Sequence, residues 1–182
     1  MNILAIIPAR MGSSRFPGKP MALILGKPMI GHVYERVNLS SILTHTVVAT
    51  CDKEIFEYIE SIGGKAIMTS IKHERASDRC AEALIKIEEE YNIRYDIVVM
   101  VQGDEPMTHP DMINEAVKPM IENKDIEVIN LKGDIENLEE FNDPNCIKVV
   151  CDNDGNALYF SRQPIPNNKL LESINLKKQV CI

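Results

Sequence analysis

Short apolar runs alternate with segments of helical periodicity along most of the chain. Three runs, at residues 3–7, 47–50 and 97–101, are too short for helices, and their continuous apolar character is typical of strands buried on both faces. Residues 127–131 and 147–150 alternate only in part and predict two further strands. The pattern therefore predicts a sheet whose central strands are covered on both sides.

Four segments between and after these strands place apolar residues on one helical face. They are residues 28–39, 53–62, 77–91 and 109–123. Strands that alternate with helices indicate βαβ units. We therefore expect an α/β fold with a mixed, mainly parallel sheet, in which ligands bind beyond the carboxyl ends of the strands.

Chain length and turn density bear on the domain organisation. The 182 residues suit a single domain that spans residues 1–182. From residue 134 onward the predicted elements are shorter and turn residues are more frequent. We expect residues 134–182 to form a subsidiary or dimerisation lobe of that domain.

Charge and composition narrow the classes of partner. The net charge of −7 and the small number of aromatic residues argue against a nucleic-acid surface. No apolar stretch approaches the roughly 20 residues that span a bilayer, and the first residues lack the basic segment of a signal peptide. The five cysteines show no C-x-x-C spacing and are expected as small buried side chains in a reducing cytosol. An anionic small molecule remains compatible with this composition.

The loop after the first strand concentrates small and basic residues. Residues 8–20 contain two glycines, two serines, and the cations Arg10, Arg15 and Lys19. Backbone N–H groups, hydroxyls and three positive charges together form the kind of cradle that a polyphosphate needs. The spacing differs from the GxxxxGK[ST] phosphate loop and from the dinucleotide GxGxxG motif. A basic surface turn is the alternative, which the crowding of cations at a buried strand end disfavours.

The loop after the most apolar strand carries the candidate metal ligand. Asp104 follows residues 97–101 closely, and a carboxylate at the end of a buried strand is costly unless it binds a cation or accepts hydrogen bonds. Mg²⁺ binds few carboxylates together with phosphate oxygens and water, so Asp104 is a candidate Mg²⁺ ligand. Gln102 can both donate to and accept from a polar ligand, and Glu105 is expected to cap a helix. A capped turn is the alternative role of Asp104.

Two further spots give weaker signals. Ser77 and Asp78 are typical of a helix N-cap, and Asp78 with Arg79 could contact a ligand at that helix start. His73 is more typical of a surface or hydrogen-bonded histidine than of a ligand. Arg162 follows a predicted strand and either holds a carboxylate bidentately or is simply exposed.

Five sequence blocks occur in a fixed order between residue 3 and about residue 166. The blocks are residues 7–20, 26–30, 73–82, 101–106 and 159–162. In order and separation they resemble the 3-deoxy-D-manno-octulosonate cytidylyltransferases, or CMP-Kdo synthetases. Ser13-Ser14-Arg15 and Lys19-Pro20 of the first block are similar to the Kdo branch rather than to the sialic-acid-type enzymes.

The resemblance implies a Rossmann-like nucleotidyltransferase domain that requires Mg²⁺ and forms a homodimer in the bacterial cytoplasm. It implies transfer of CMP from CTP to Kdo, with release of pyrophosphate, for the activation of a lipopolysaccharide sugar. By this resemblance, the matching positions would serve catalysis, nucleotide binding and sugar-acid binding. The catalytic residues would be Arg10, Lys19 and Asp104, of which Asp104 would also bind the metal. The nucleotide would be bound by Ala9, Arg10, Ser13, Arg15, Lys19 and Asp78, and the sugar acid by Arg79, Gln102 and Arg162.

Two departures from the family pattern open alternatives. Arg75-Ala76-Ser77 stands where the family usually has Ser-Gly-Thr, which points to a related sugar acid such as 8-amino-Kdo or another nonulosonate. The family chain also continues beyond the length of this one and supplies a second metal-binding aspartate, a sugar-contacting histidine and part of the dimer surface. This chain is therefore expected to be a fragment or a shortened protein that lacks the family's C-terminal region. A catalytically inactive CTP-binding relative is the remaining alternative.

Overall fold

Strands and helices alternate between residues 29 and 151 of a computed structural model, which describes residues 1–12, 16–166, 176–180 and 182. The strands are β1 (Ile3–Ala9), β2 (Leu23–Ile24), β3 (Lys27–Pro28), β4 (His45–Thr50), β5 (Ala66–Met68), β6 (Ile97–Met100), β7 (Leu131–Asp134), β8 (Lys148–Cys151), β9 (Ala157–Ser161) and β10 (Lys177–Val180). The helices are α1 (Met29–Val37), α2 (Lys53–Ser61), α3 (Ala76–Tyr91), α4 (Pro110–Glu122) and the short α5 (Leu138–Asn142). A 3₁₀ turn covers Lys19–Met21.

A parallel sheet with the strand order β5-β4-β1-β6 forms the centre of the first part of the chain. Its side chains alternate between two apolar clusters, as the two-residue period of a strand requires. Ile3 and Ile7 of β1 pack with α1, α2 and α4, whereas Leu4 and Ile6 pack with α3. Helices on both faces of a parallel sheet confirm the predicted α/β fold.

Three local predictions are wrong. Helix α3 begins at Ala76 with Arg75 at the N-cap position, so neither Ser77 nor Asp78 caps it. Glu105 is not the cap of α4, because His109 occupies that position and its ring accepts a hydrogen bond from the backbone N–H of Asp111.

The strand predicted at residues 127–131 is also misplaced. Strand β7 begins only at Leu131, where its antiparallel partner β10 pairs with it through Val180. Val128 is 78% exposed, so the partial alternation of this segment does not reflect a buried face.

The chain divides into two compact units. The first comprises Met1–Ile129 with Ile182, and the second comprises Asn130–Cys181. The described strands of the second unit form an antiparallel sheet in the order β7-β10-β8-β9. The assignment of residues 134–182 to a lobe of a single domain stays a prediction. Across the described ranges, none of the helices has the length and apolar character needed to cross a membrane.

A fully buried lysine lies within the second unit. Lys148 of β8 donates hydrogen bonds from Nζ to three backbone carbonyls, those of Asp143, Cys146 and Arg162, at 2.7–2.8 Å. An ammonium group has three donors, so this buried charge is fully hydrogen-bonded. Lys148 therefore joins the turn before β8 to the residue that follows β9.

Candidate active site

Two loops meet at the carboxyl edge of the parallel sheet. Strands β1 and β6 are direct neighbours, so the loops that follow them leave the sheet side by side. A Cβ placed on Gly103 would lie only 2.5 Å from the carbonyl oxygen of Pro8, so the backbones approach more closely there than a side chain permits. This contact fixes the position of Asp104 beside the first loop.

The first loop folds back so that Lys19 faces the second loop. Gly18 adopts a φ of 74°, which glycine tolerates, and its N–H donates to the carbonyl of Met11 at 2.9 Å. Lys19 then opens the 3₁₀ turn, and its Nζ lies 2.7 Å from Oδ2 of Asp104. The cation predicted to bind phosphate is thus ion-paired with the carboxylate predicted to bind Mg²⁺.

A carboxylate from a third loop holds the first loop in place. The N–H of Met11 donates to Oδ2 of Asp52 at 2.8 Å. Asp52 occupies the N-cap position of α2, but its side chain makes no capping bond to that helix. Asp52 was not predicted from the sequence, although it follows β4, a neighbour of β1, and so lies at the same strand edge.

The start of α3 forms another wall of the site. Ala76 and Arg79 are three residues apart and share one face of the helix, whereas Asp78 is exposed on a different face. Arg79 is almost fully buried and donates to Oγ1 of Thr69 at 2.5 Å and to the carbonyl of His73 at 3.5 Å. Arg79 therefore binds the preceding loop to the helix.

Glu82 ties that loop to α3 a second time. Its carboxylate accepts a hydrogen bond from Lys86 Nζ, accepts another from the N–H of Ser70 at 2.9 Å, and lies 2.5 Å from Nε2 of His73. These contacts, led by the one with Lys86, lower the pKa of Glu82 to about 2. Glu82 was not predicted, because its partners lie 4 to 12 residues away, on either side along the chain.

These walls enclose a cavity of about 380 Å³, a size within the range of small-molecule sites. The predicted residues that line it are Ala9, Arg10, Lys19, Arg79, Gln102 and Asp104. His73, Glu74, Arg75 and Ala76 also line it. With Met29, which also lines the cavity, the structure brings together residues from four of the five sequence blocks.

The remaining predicted residues are placed differently. Ser13 and Arg15 lie outside the described residues. Asp78 does not belong to the cavity lining as described, because α3 starts at Ala76 and turns residue 78 away. Arg162 belongs to the second unit, where its guanidinium donates to the carbonyl of Pro144 at 2.9 Å.

The donor set around Asp104 fits Mg²⁺ that is bound together with a polyphosphate. Burial, and then the charge of Asp104, raise the pKa of the neighbouring Glu105. Within the residues that the structure describes, no three acidic, histidine or cysteine side chains are grouped to hold a metal. Mg²⁺ needs only one or two carboxylates when phosphate oxygens and water complete its octahedron.

Comparisons with known proteins show the family to which the chain belongs. The sequence model of the cytidylyltransferase family matches residues 4–177. A protein of Trichlorobacter lovleyi is 49% identical over 166 residues, which are 91% of this chain and 64% of that protein. One of Geobacter metallireducens is 47% identical and is covered to 63%. Both are named 3-deoxy-manno-octulosonate cytidylyltransferase, and this chain spans slightly less than two thirds of their length.

A solved structure shares the fold over nearly the whole chain. It is a CMP:2-keto-3-deoxy-manno-octonic acid synthetase complexed with CTP, which is 38% identical to this chain. The TM-score is 0.90, with 99% of this chain and 72% of that chain covered. The fold prediction, an α/β nucleotidyltransferase, is therefore confirmed. From the matched family, the relatives and the shared fold, we conclude that this chain belongs to the cytidylyltransferase family.

Proposed function

We propose that this chain transfers the CMP group of CTP to a 2-keto-3-deoxy sugar acid, namely Kdo, and releases pyrophosphate. The observation that carries the proposal is the cavity in which Arg10, Lys19 and Asp104 meet at the carboxyl edge of the sheet. The names of the relatives and the CTP in the related structure support this substrate pair.

Positioning and charge neutralisation are the contributions of the chain to such a reaction. Arg10 and Lys19 bind the phosphates and neutralise the charge that develops on the departing pyrophosphate. The anomeric hydroxyl oxygen of the sugar forms a bond to the α-phosphorus while the bond from that phosphorus to pyrophosphate breaks. The hydroxyl proton passes to solvent, and no covalent intermediate with the protein is needed.

Asp104 is the residue that would hold Mg²⁺ in this reaction. A bound Mg²⁺ supplies Lewis-acid charge stabilisation to the phosphate oxygens.

The sugar acid would meet the wall formed by Gln102 and Arg79. Gln102 is half-buried and presents both a donor and an acceptor. Arg79 is fixed by Thr69 and by the His73 carbonyl, so it offers a cation in a constant position. We include Arg162 as a further ligand of the sugar carboxylate.

A second candidate substrate is a related acid sugar, such as 8-amino-Kdo or another nonulosonate. The observation that favours it is the placement of Arg75 and Ala76 in the cavity lining, where a change of residue alters direct contacts. A panel of sugar acids in the same assay distinguishes the two candidates.

We further propose that the protein acts as a homodimer in the bacterial cytoplasm. Strand β9 is one of the two outer strands of the described antiparallel sheet, and its Leu158 and Tyr159 are more than 60% exposed. Apolar side chains on an outer strand suit a contact between two copies. Sedimentation equilibrium of the protein tests the dimer, and a monomer at micromolar concentration contradicts it.

Pyrophosphate release tests the reaction itself. We expect release with CTP, Mg²⁺ and Kdo, and a loss of at least about a hundredfold in Lys19→Ala, together with weaker CTP binding. Lys27→Ala is the matched control, because Lys27 is also ion-paired but does not line the cavity. CTP binding without release would favour an inactive CTP-binding relative, and near-normal release by Lys19→Ala would contradict the proposed role of Lys19.

A further inference from the structure

Lys19 and Asp104 neutralise each other inside the cavity. The side chains are 36% and 50% exposed, so ligands in the cavity have access to both partners. The proposed function, however, requires Lys19 on a phosphate and Asp104 on a metal ion. The ammonium group lies 2.7 Å from Oδ2, in space that a cation bound to that oxygen needs.

A divalent cation at Oδ2 would sit about 2.1 Å from that oxygen. It would then face the ammonium group at a distance where two positive charges repel strongly. Asp104 can therefore hold the metal at Oδ2 only after Lys19 has moved. A triphosphate gives Lys19 another anion to bind, so it supplies the reason to move.

We propose that the Lys19–Asp104 ion pair is a latch on the metal site, opened by the triphosphate of the substrate. This inference rests on the proposed function and deepens it: the ligand that the site takes up is a nucleoside triphosphate together with its metal. The chain binds a free divalent cation weakly until a polyphosphate draws Lys19 away. By linkage, the metal raises the affinity for the triphosphate as much as the triphosphate raises the affinity for the metal.

The latch predicts a gain of function that ordinary site mutations do not give. In the nucleotide-free protein, Lys19→Met leaves Asp104 without its competing cation and should bind Mn²⁺ about two- to fivefold more tightly than wild type, the range expected for an exposed ion pair. Mn²⁺ binding is measured by electron paramagnetic resonance, which needs no turnover. Asp104→Asn should lose this binding.

Two control variants separate the latch from general charge effects. Lys27→Met breaks the Lys27–Glu35 pair, whose side chains are 38% and 51% exposed, outside the cavity lining; its Mn²⁺ affinity should equal that of wild type. Arg10→Met removes a positive charge from the same cavity, and Arg10 makes no ion pair within the described part of the chain. The latch is overturned if Lys19→Met binds Mn²⁺ no more tightly than wild type. It is also overturned if the gain in Mn²⁺ affinity is no larger than that of Arg10→Met.

The reciprocal experiment uses CTP in the presence of EDTA. Asp104→Asn frees Lys19 and should bind metal-free CTP about two- to fivefold more tightly than wild type in isothermal titration calorimetry. Unchanged or weaker binding of metal-free CTP overturns the latch. If the wild type binds CTP neither with nor without metal, the proposed function is overturned, and so is the triphosphate as the ligand that displaces Lys19. The Mn²⁺ measurements decide separately whether Lys19 blocks metal binding at Asp104.

Discussion

Gly103→Ala tests whether the close backbone approach at the sheet edge sets the position of Asp104. The added Cβ would lie 2.5 Å from the carbonyl oxygen of Pro8, a backbone atom that belongs to the end of β1. Since neither atom is the end of a flexible side chain, the backbone itself must move. The residue that moves with it is Asp104, which follows directly in the chain.

The size of the effect follows from the geometry. Real Cβ atoms essentially never come closer than 3.0 Å, so the loop must shift by about 0.5 Å or more. A 1 Å misplacement of a catalytic group can cost about a hundredfold in rate, so we expect a loss of about tenfold or more in kcat. Overpacking of this kind costs about 1–3 kcal/mol of stability, which is less than the stability of a typical domain.

The assay is pyrophosphate release with saturating CTP and Kdo, alongside urea unfolding to show that the variant is folded. Gly133→Ala is the control, because its Cβ would meet only side-chain atoms, the nearest being a methyl group of Val180 at 3.1 Å, and the residue does not line the cavity. That side chain can give way where the Pro8 carbonyl cannot. Wild-type kcat in a folded Gly103→Ala variant would refute the positioning role of this contact.

Two further variants test the contacts that hold the loops. Glu82→Gln should lower the free energy of unfolding by about 1 kcal/mol at pH 7, because Lys86 and the Ser70 amide stabilise the ionised carboxylate. Because the pKa of Glu82 is lowered, its carboxylate stabilises the folded state fully above pH 4.5, and this stability is lost as the pH falls towards 2. The difference between variant and wild type in urea unfolding should therefore vanish between pH 4.5 and pH 2. A difference that persists unchanged at pH 2 contradicts this cause. Lys148→Met removes a buried ammonium donor from three carbonyls and should destabilise the second unit by about 3 kcal/mol, measured by hydrogen exchange of residues 130–166. The exposed Lys132→Met is its control, and equal protection in both variants counts against a structural role of Lys148.

Much of the cavity could be predicted from the sequence, because two apolar runs end at loops that line it. The alternation of strands with helices predicts parallel strands, but the direct pairing of β1 with β6 was seen only in the structure. Once those two strands are neighbours, Arg10 and Asp104 must leave the sheet at the same edge. The close approach of Lys19 to Asp104 needed the structure, because it depends on the turn at Gly18.

The contacts that support the site were not visible in the sequence. The end of β4 could have placed Asp52 at this edge of the sheet, but nothing in the sequence specifies its hydrogen bond with Met11, 41 residues away. The sequence placed Lys148 in a predicted strand, yet gave no sign that a fully buried ammonium group joins three carbonyls. Such partners are set by tertiary packing, which overrides the local periodicity from which strands and helices are predicted.

Backbone contacts hold the loops of the site, whereas its charged side chains are partly exposed. This arrangement suits the proposed reaction, which depends on positioning. The loops are held by contacts that involve backbone atoms: Gly103 against Pro8, and the N–H of Met11 on Asp52. Lys19 and Asp104, by contrast, are partly exposed and paired with each other. A side chain that must exchange one partner for a phosphate or a metal has to be mobile, whereas the frame that carries it has to be fixed. This arrangement predicts that loosening an anchor changes kcat and KM together, because it displaces groups that bind and groups that react by the same movement.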